Sequence, residues 1–173
     1  MKHSKIELAT NFDSEGVPGR HETFVTRPSI PFSLVYECVS FLASLKGNPD
    51  NDELHVMIDL VVRIFDNQFS KRQLIDGLTS YEGTHELYKQ VVFIGSGQNL
   101  DDEVESDEKV QSISVNGWED HKENLKKTIK KMVKDGEQTY NDVLNIPFYL
   151  VFDDLNTKAK AERKSSMLSA FGQ

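Results

Sequence analysis

The chain has 173 residues, enough for one ordinary domain or for a compact domain followed by a smaller helical module. Hydrophobic residues make up 38% and charged residues 28%, which is typical of a chain that folds around a packed core and not of a disordered one. The net charge of −8 argues against nonspecific binding to nucleic acid or to an anionic membrane, and a single cysteine, Cys38, excludes an intrachain disulfide.

The N-terminal part of the chain predicts a β-hairpin. Residues 5–10 and 22–26 have the alternating, β-branched or aromatic pattern of short strands, and a turn-rich segment separates them. Because a lone two-stranded hairpin is marginally stable in water, we expect the following residues to cover it.

Two helices are predicted next. Pro31 suits the first turn of the first helix, and Asn51 or Asp52 suits the cap of the second. Apolar residues of the first helix recur at helical spacing at Leu34, Cys38, Phe41, Leu42 and Leu45. The second helix has the strongest stripe in the chain, formed by Leu54, Met57, Ile58, Val61, Ile64 and Phe65.

Two shorter helices follow. Ser70 with Gln73 has the pattern of a capping box for the third helix. Thr84 is expected to cap the fourth, which runs to the Gly95-Ser96-Gly97 stop. Together with the hairpin these helices predict a small domain over residues 1–97.

An acidic linker is predicted over residues 98–115, because blocks of like charge repel one another and stay solvated. Residues 116–173 are then predicted to form a helical C-terminal module, whose tail over residues 156–173 has few apolar residues and is expected to be disordered or to become helical only when bound. Its first helix carries an apolar stripe from Trp118 and a lysine-rich face, and its second begins at Thr139, with Asp142 three residues on. The predicted fold class is therefore mainly α, or α+β: a hairpin packed on a helical domain, then the linker and the module.

No pattern of catalytic chemistry is present. The five histidines are dispersed, and Gly95-Ser96-Gly97 lacks the Lys-Ser/Thr of a phosphate-binding loop. Cys38 lies on an apolar stripe, which favours a buried core residue over a nucleophile. We therefore predict a protein that binds other proteins, with no catalytic residue, cofactor or metal, and with no apolar run long enough to span a membrane.

The C-terminal module contains the candidate partner-binding residues. Its lysine-rich face is either a solvated helix surface or a contact surface, and Trp118 is either a core residue or an interface anchor. The residues predicted for partner binding are Trp118, Lys126, Lys130 and Phe148.

The segment Arg63-Ile64-Phe65-Asp66-Asn67-Gln68-Phe69-Ser70, followed by Leu74-Ile75-Asp76-Gly77-Leu78, resembles the tail assembly chaperones of long-tailed bacteriophages, particularly those of Gram-positive hosts. The motif residues that carry the resemblance are Phe65, Gln68, Phe69, Ser70, Asp76, Gly77 and Leu78. The order of hairpin, helix and apolar helix before the motif also fits. Packing of Phe65 and Phe69, capping by Ser70 and a tight helix end at Gly77 are the structural roles that we expect.

The resemblance implies a function. In that family the N-terminal domain coats the tape measure protein, and a C-terminal module, present in a longer form made by ribosomal frameshifting, recruits tail tube subunits. It further implies a homo-oligomer along the tape measure, action in the host cell cytoplasm and absence from the mature virion, without nucleic acid or membrane as partners. The alternative is a structural tail completion or head-to-tail joining protein of the virion.

Overall fold

The computed structural model describes residues 3–78, 83–96, 115–136 and 138–151. Within these ranges a hairpin is followed by six helices, and a further helical turn lies at 148–151. The elements are β1 (Lys5–Phe12), β2 (Pro18–Val25), α1 (Phe32–Ser44), α2 (Asn51–Ile64), α3 (Lys71–Gly77), α4 (Gly83–Ser96), α5 (Val115–Asp135) and α6 (Tyr140–Asn145). The predicted class, mainly α with an N-terminal β-hairpin, is confirmed.

The strands of the hairpin pair antiparallel, with Lys5 opposite Val25. Ile6 and Leu8 of β1 are buried, since alternate residues of a strand point to the same side. At the turn, Oδ1 of Asp13 accepts hydrogen bonds from two backbone N–H groups, at 2.9 and 2.8 Å. Both strands are longer than predicted because the turn between them contains only residues 13–17.

The starts of α1 and α2 correct two details of the prediction. Pro31 is the residue before α1 and does not lie in its first turn. Asp50, and not Asn51 or Asp52, caps α2: its carboxylate accepts from the N–H of Glu53, whose carboxylate accepts in turn from the N–H of Asp50. This reciprocal arrangement satisfies two backbone donors that a helix start otherwise leaves unpaired.

Two predicted capping boxes are confirmed, one at α3 between Ser70 and Gln73 and one at α6 between Thr139 and Asp142. Thr84 was expected to cap α4, but it lies inside that helix, which begins one residue earlier. Residues 148–151 form the helical turn at the end of the described part of the chain.

α1 is the centre of the core. It contacts α2, α4, α5 and α6, while α3 packs on β1. The buried side chains of α1 are Phe32, Leu34, Val35, Cys38, Val39, Phe41 and Leu42. They belong to one continuous cluster that extends from the hairpin to the end of the described chain.

Helix α5 shares this core. Its Trp118, Leu125 and Ile129 are buried, and the helix lies against α1. The division into domains at 1–97 and 116–173 stays a prediction. What the structure adds is that the described parts of the two segments pack together through α1, a contact that helical periodicity does not reveal.

Candidate interaction surfaces

The turn after α2 contains the first residues of the motif. Phe65 is the C-cap of α2, directly after its last residue, and is 0% exposed. Asp66 and Asn67 have positive φ angles of 55° and 57°, in the left-handed region that Asp and Asn tolerate best among non-glycine residues. Phe69 lies in the core four residues after Phe65, and the two ring centroids are 5.4 Å apart.

Gln68 and Phe69 join this turn to the hairpin. Nε2 of Gln68 donates a hydrogen bond to the carbonyl oxygen of Val25 at 2.9 Å. The ring of Phe69 packs edge-on against Phe24, with 5.0 Å between centroids. Both partners belong to β2, so these motif residues hold the hairpin on the helices, a role that sequence reasoning missed.

Ser70 and Gly77 lie at the two ends of α3. Oγ of Ser70 accepts a hydrogen bond from the N–H of Gln73 at 3.2 Å, as expected of the cap. Helix α3 ends at Gly77 as expected, but Gly77 has no positive φ, so the helix end does not itself require glycine. A Cβ at this position would lie 2.9 Å from the carbonyl oxygen of Ala9, which shows that Gly77 permits close packing of α3 on β1.

The last two motif residues are more peripheral. The carboxylate of Asp76 lies 3.4 Å from Nε of Arg72, one turn earlier, in an exposed ion pair. Exposed pairs of this kind contribute little to stability. Leu78 follows α3 and is partly buried against the core.

Helix α5 docks through Trp118, which is 6% exposed. A Cβ at Gly95 of α4 would lie 3.2 Å from Cζ3 of Trp118, 3.3 Å from Cδ1 of Leu42 and 3.4 Å from Cγ2 of Val39. Gly95 therefore provides the space into which the indole fits. One turn along α5, Nε2 of His121 lies 3.1 Å from the carbonyl oxygen of Gly95.

The segment after α6 returns to the start of α1. The N–H of Phe32 donates to the carbonyl oxygen of Ile146 at 3.0 Å, and the N–H of Phe148 donates to that of Ile30 at 2.9 Å. The ring centroids of Phe32 and Phe148 lie 5.5 Å apart. Phe148 therefore contacts the chain's own core in this structure.

The four candidate partner-binding residues do not form one surface. Trp118 and Phe148 make internal contacts, whereas Lys126 and Lys130 lie on the exposed side of α5. Their role in binding partners stays a prediction.

A buried polar network attaches β1 to α4, and sequence reasoning missed it. Gln90 is 2% exposed, and its Nε2 donates to the carbonyl oxygen of Lys5 at 2.9 Å and to Oε1 of Glu86 at 2.7 Å. Oγ of Ser4 donates to Oε1 of Gln90 at 2.5 Å. The only sequence signal is a polar residue beside the apolar stripe of α4. The network positions the hairpin, because a buried amide is costly unless it is paired.

The chemistry of the described residues is limited. Burial raises the pKa of the Cys38 thiol to about 12, with a smaller contribution from the charge of Glu37, so the thiol stays protonated at neutral pH. An open cleft of about 530 Å³ lies between the hairpin and α4, and its lining includes two acidic residues, Glu7 and Glu86, and two lysines, Lys5 and Lys89. In the described ranges no group of three or more His, Cys, Asp or Glu side chains is placed to hold a metal.

The described helices include none that is long and apolar enough to cross a membrane.

The fold and these surfaces define a small helical scaffold with a β-hairpin fixed to it by the turn after α2. A family model described as phage tail chaperone protein matches residues 1–111. Since that match covers more than half of the chain, the protein belongs to the phage tail chaperone family, in agreement with the resemblance at the motif. No curated protein and no solved structure matches the chain.

Proposed function

We propose that this protein is a tail assembly chaperone that binds the tape measure protein, keeps it soluble and recruits tail tube subunits during tail assembly. The observation that carries the proposal is the family match over residues 1–111, which includes the hairpin and α1 to α4. In this proposal the protein acts in the host cytoplasm, has no catalytic activity and is absent from the finished virion.

Apolar side chains on the surface suit transient binding to a long helical partner. They lie on the hairpin, on α2 and α3 and near the C-terminal end of the described chain. The large apolar residues exposed in these elements are Phe12, Val17, Val25, Val56, Ile75, Tyr140, Tyr149 and Leu150. Such scattered side chains favour many weak contacts over one tight site.

Weak contacts are sufficient if several copies bind one tape measure molecule, because repeated sites give avidity. Binding to exposed apolar stripes of the tape measure protein lowers the concentration of free aggregation-prone chain. Tube subunits that polymerise around the tape measure then displace the chaperone.

The exposed lysines of α5 support a separate contact with the tube protein. Lys126 and Lys130 belong to a helix outside the residues that the family model matches. In a chain with a net charge of −8, a basic face distinguishes one partner surface from the rest of the molecule.

Co-expression with the tape measure protein of the same phage tests the proposal. We expect the soluble fraction of the tape measure protein to rise with this chain, and to rise less with a double variant, Val56→Asp with Ile75→Asp, on the exposed surface of α2 and α3. Lys131→Ala, an exposed change on α5, is the matched control. A tape measure protein that aggregates equally with and without the chain contradicts the proposal.

Mass spectrometry of finished particles separates this function from that of a structural tail completion or joining protein. A chaperone is expected to be absent from purified virions although abundant in infected cells. Stoichiometric amounts in the particle would favour the structural function.

A further inference from the structure

We propose that α5 is a displaceable occupant of a helix-binding face formed by α1 and α4, and that an amphipathic helix of a partner protein, with one large aromatic and two aliphatic residues on one side, takes its place. This inference rests on the proposed function, since it names a surface by which the chaperone holds a helical partner.

The face beneath α5 is built to receive a large apolar side chain. Val39 and Leu42 of α1 border it, and Gly95 of α4 leaves room for the ring of Trp118, as the distances of 3.2 to 3.4 Å from a Cβ at position 95 show. These three residues belong to the part that the family model matches, whereas Trp118 lies beyond it. A segment outside the family match therefore covers an apolar face of the family domain.

The side chains that seat α5 form one narrow stripe. Trp118, Leu125 and Ile129 are buried, at relative positions 0, 7 and 11 of a 21-residue helix. This spacing places all three on the same side of a helix. The stripe defines the partner: a helix with a large aromatic residue and two aliphatic residues at the same spacing satisfies the same face.

Helix α5 also has local interactions that do not depend on α1. Lys122 pairs with Glu119 at 3.8 Å and Lys127 with Glu123 at 3.9 Å, one turn apart along the helix. Pairs at this spacing stabilise isolated helices. The chain beyond α6 has its own attachment to α1, through the ring contact between Phe148 and Phe32 and two backbone hydrogen bonds.

A labelled peptide with the sequence of residues 115–135 tests the proposal on the full-length protein. The peptide should bind weakly to the wild-type chain, in which the face is occupied, and about tenfold or more tightly to a Trp118→Ala variant, in which the internal helix competes poorly. Lys131→Ala, which changes only the exposed side of α5, should behave as the wild type. Fluorescence anisotropy measures all three dissociation constants.

A second variant, Leu125→Ala with Ile129→Ala, should give the same gain in affinity. A peptide of the same composition with its three stripe residues moved to other faces should not bind. Equal affinity of the wild-type chain and the folded variants, or equal binding of the rearranged peptide, would overturn the proposal. Dimerisation of a variant, measured by light scattering, would also overturn the proposal if it explains the gain in peptide affinity, because the occupant would then be a second copy.

Hydrogen exchange on the wild-type chain provides a test without any substitution. With an excess of isotope-labelled peptide, the amides of α5 in the protein should exchange faster while those of α1 stay protected. Unchanged exchange in α5 at saturating peptide contradicts displacement. Neither measurement uses the tape measure protein, so their failure is distinguishable from failure of the co-expression experiment.

Discussion

Gly77 of α3 packs directly against Leu8 of β1. A Cβ at position 77 would lie 2.9 Å from Cβ of Leu8 and 2.9 Å from the carbonyl oxygen of Ala9. Neither of these atoms is at the flexible end of a side chain, so the strand itself has to move if position 77 acquires a side chain. The motif glycine is therefore a packing requirement between a helix and a strand that are far apart in the sequence.

We expect Gly77→Ala to lower the free energy of unfolding by about 1 to 3 kcal/mol, the usual cost of overpacking, although alanine is the better helix former. Gly83→Ala is the matched control, because its Cβ would meet Leu78 at an ordinary 3.6 Å. Urea unfolding of both variants measures the difference. Equal stability of the two would show that α3 does not press on β1.

We expect a larger loss in the free energy of unfolding from a change at Phe69, because its ring contacts two aromatic neighbours. It is 3% exposed and contacts the rings of Phe24 and Phe65. Phe69→Ala should cost about 3 to 5 kcal/mol in the free energy of unfolding. Phe12→Ala, at a residue 44% exposed, should change it by less than about 0.5 kcal/mol. A similar loss for both in thermal or urea unfolding would exclude a special role for the turn.

The cap of α3 depends on a hydroxyl group. Ser70→Ala removes the acceptor for the N–H of Gln73 and should cost about 1 kcal/mol. Ser70→Thr keeps the hydroxyl and should stay within about 0.5 kcal/mol of the wild type. Urea unfolding measures both variants. An equal loss in the free energy of unfolding for Ser70→Thr and Ser70→Ala would contradict a role for the hydroxyl group.

We expect the protein to lose stability at alkaline pH because of the buried thiol of Cys38. Burial raises the pKa of its thiol from 9.0 to about 12 in the folded chain, so the protonated thiol is favoured by folding. The stabilisation is fully present below the unfolded pKa and is lost as the pH rises toward the folded pKa. By about pH 10 the thiol should account for a loss of about 1 kcal/mol relative to neutral pH.

The control for this dependence is Cys38→Ala, which is less stable at neutral pH because of the cavity but lacks the titrating group. Its free energy of unfolding should fall less between about pH 8 and pH 10 than that of the wild type. Parallel pH profiles from urea unfolding would assign the alkaline loss to other groups.

Truncation after residue 97 tests the predicted division of the chain. We expect the fragment to keep the hairpin and α1 to α4 but to unfold at lower urea concentration, because α1 loses its contact with α5. Circular dichroism and urea unfolding measure both properties. An unfolded fragment would contradict an autonomous domain, and an unchanged midpoint would contradict a stabilising role for α5.

Local sequence was sufficient for the helices and for two of their caps. The apolar stripe of α2 and the boxes at Ser70 and Thr139 depend on residues three or four positions apart, so their physical causes lie within the predicted window. The cap of α2 was misplaced because Asp50, Asn51 and Asp52 are all acceptable capping residues, and backbone geometry selects among them.

The placement of these elements required the tertiary structure. Gln68 bonds to Val25, 43 residues away, and Ser4 bonds to Gln90, 86 residues away. Such pairs have no periodic signature, since they depend on which faces meet. Local patterns were enough to predict a hairpin, a series of amphipathic helices and the motif of a tail chaperone. That the motif joins the helices to the hairpin, and that Trp118 fits beside Gly95, follows from the packed structure, because burial of apolar faces selects one arrangement from the many that local preferences allow.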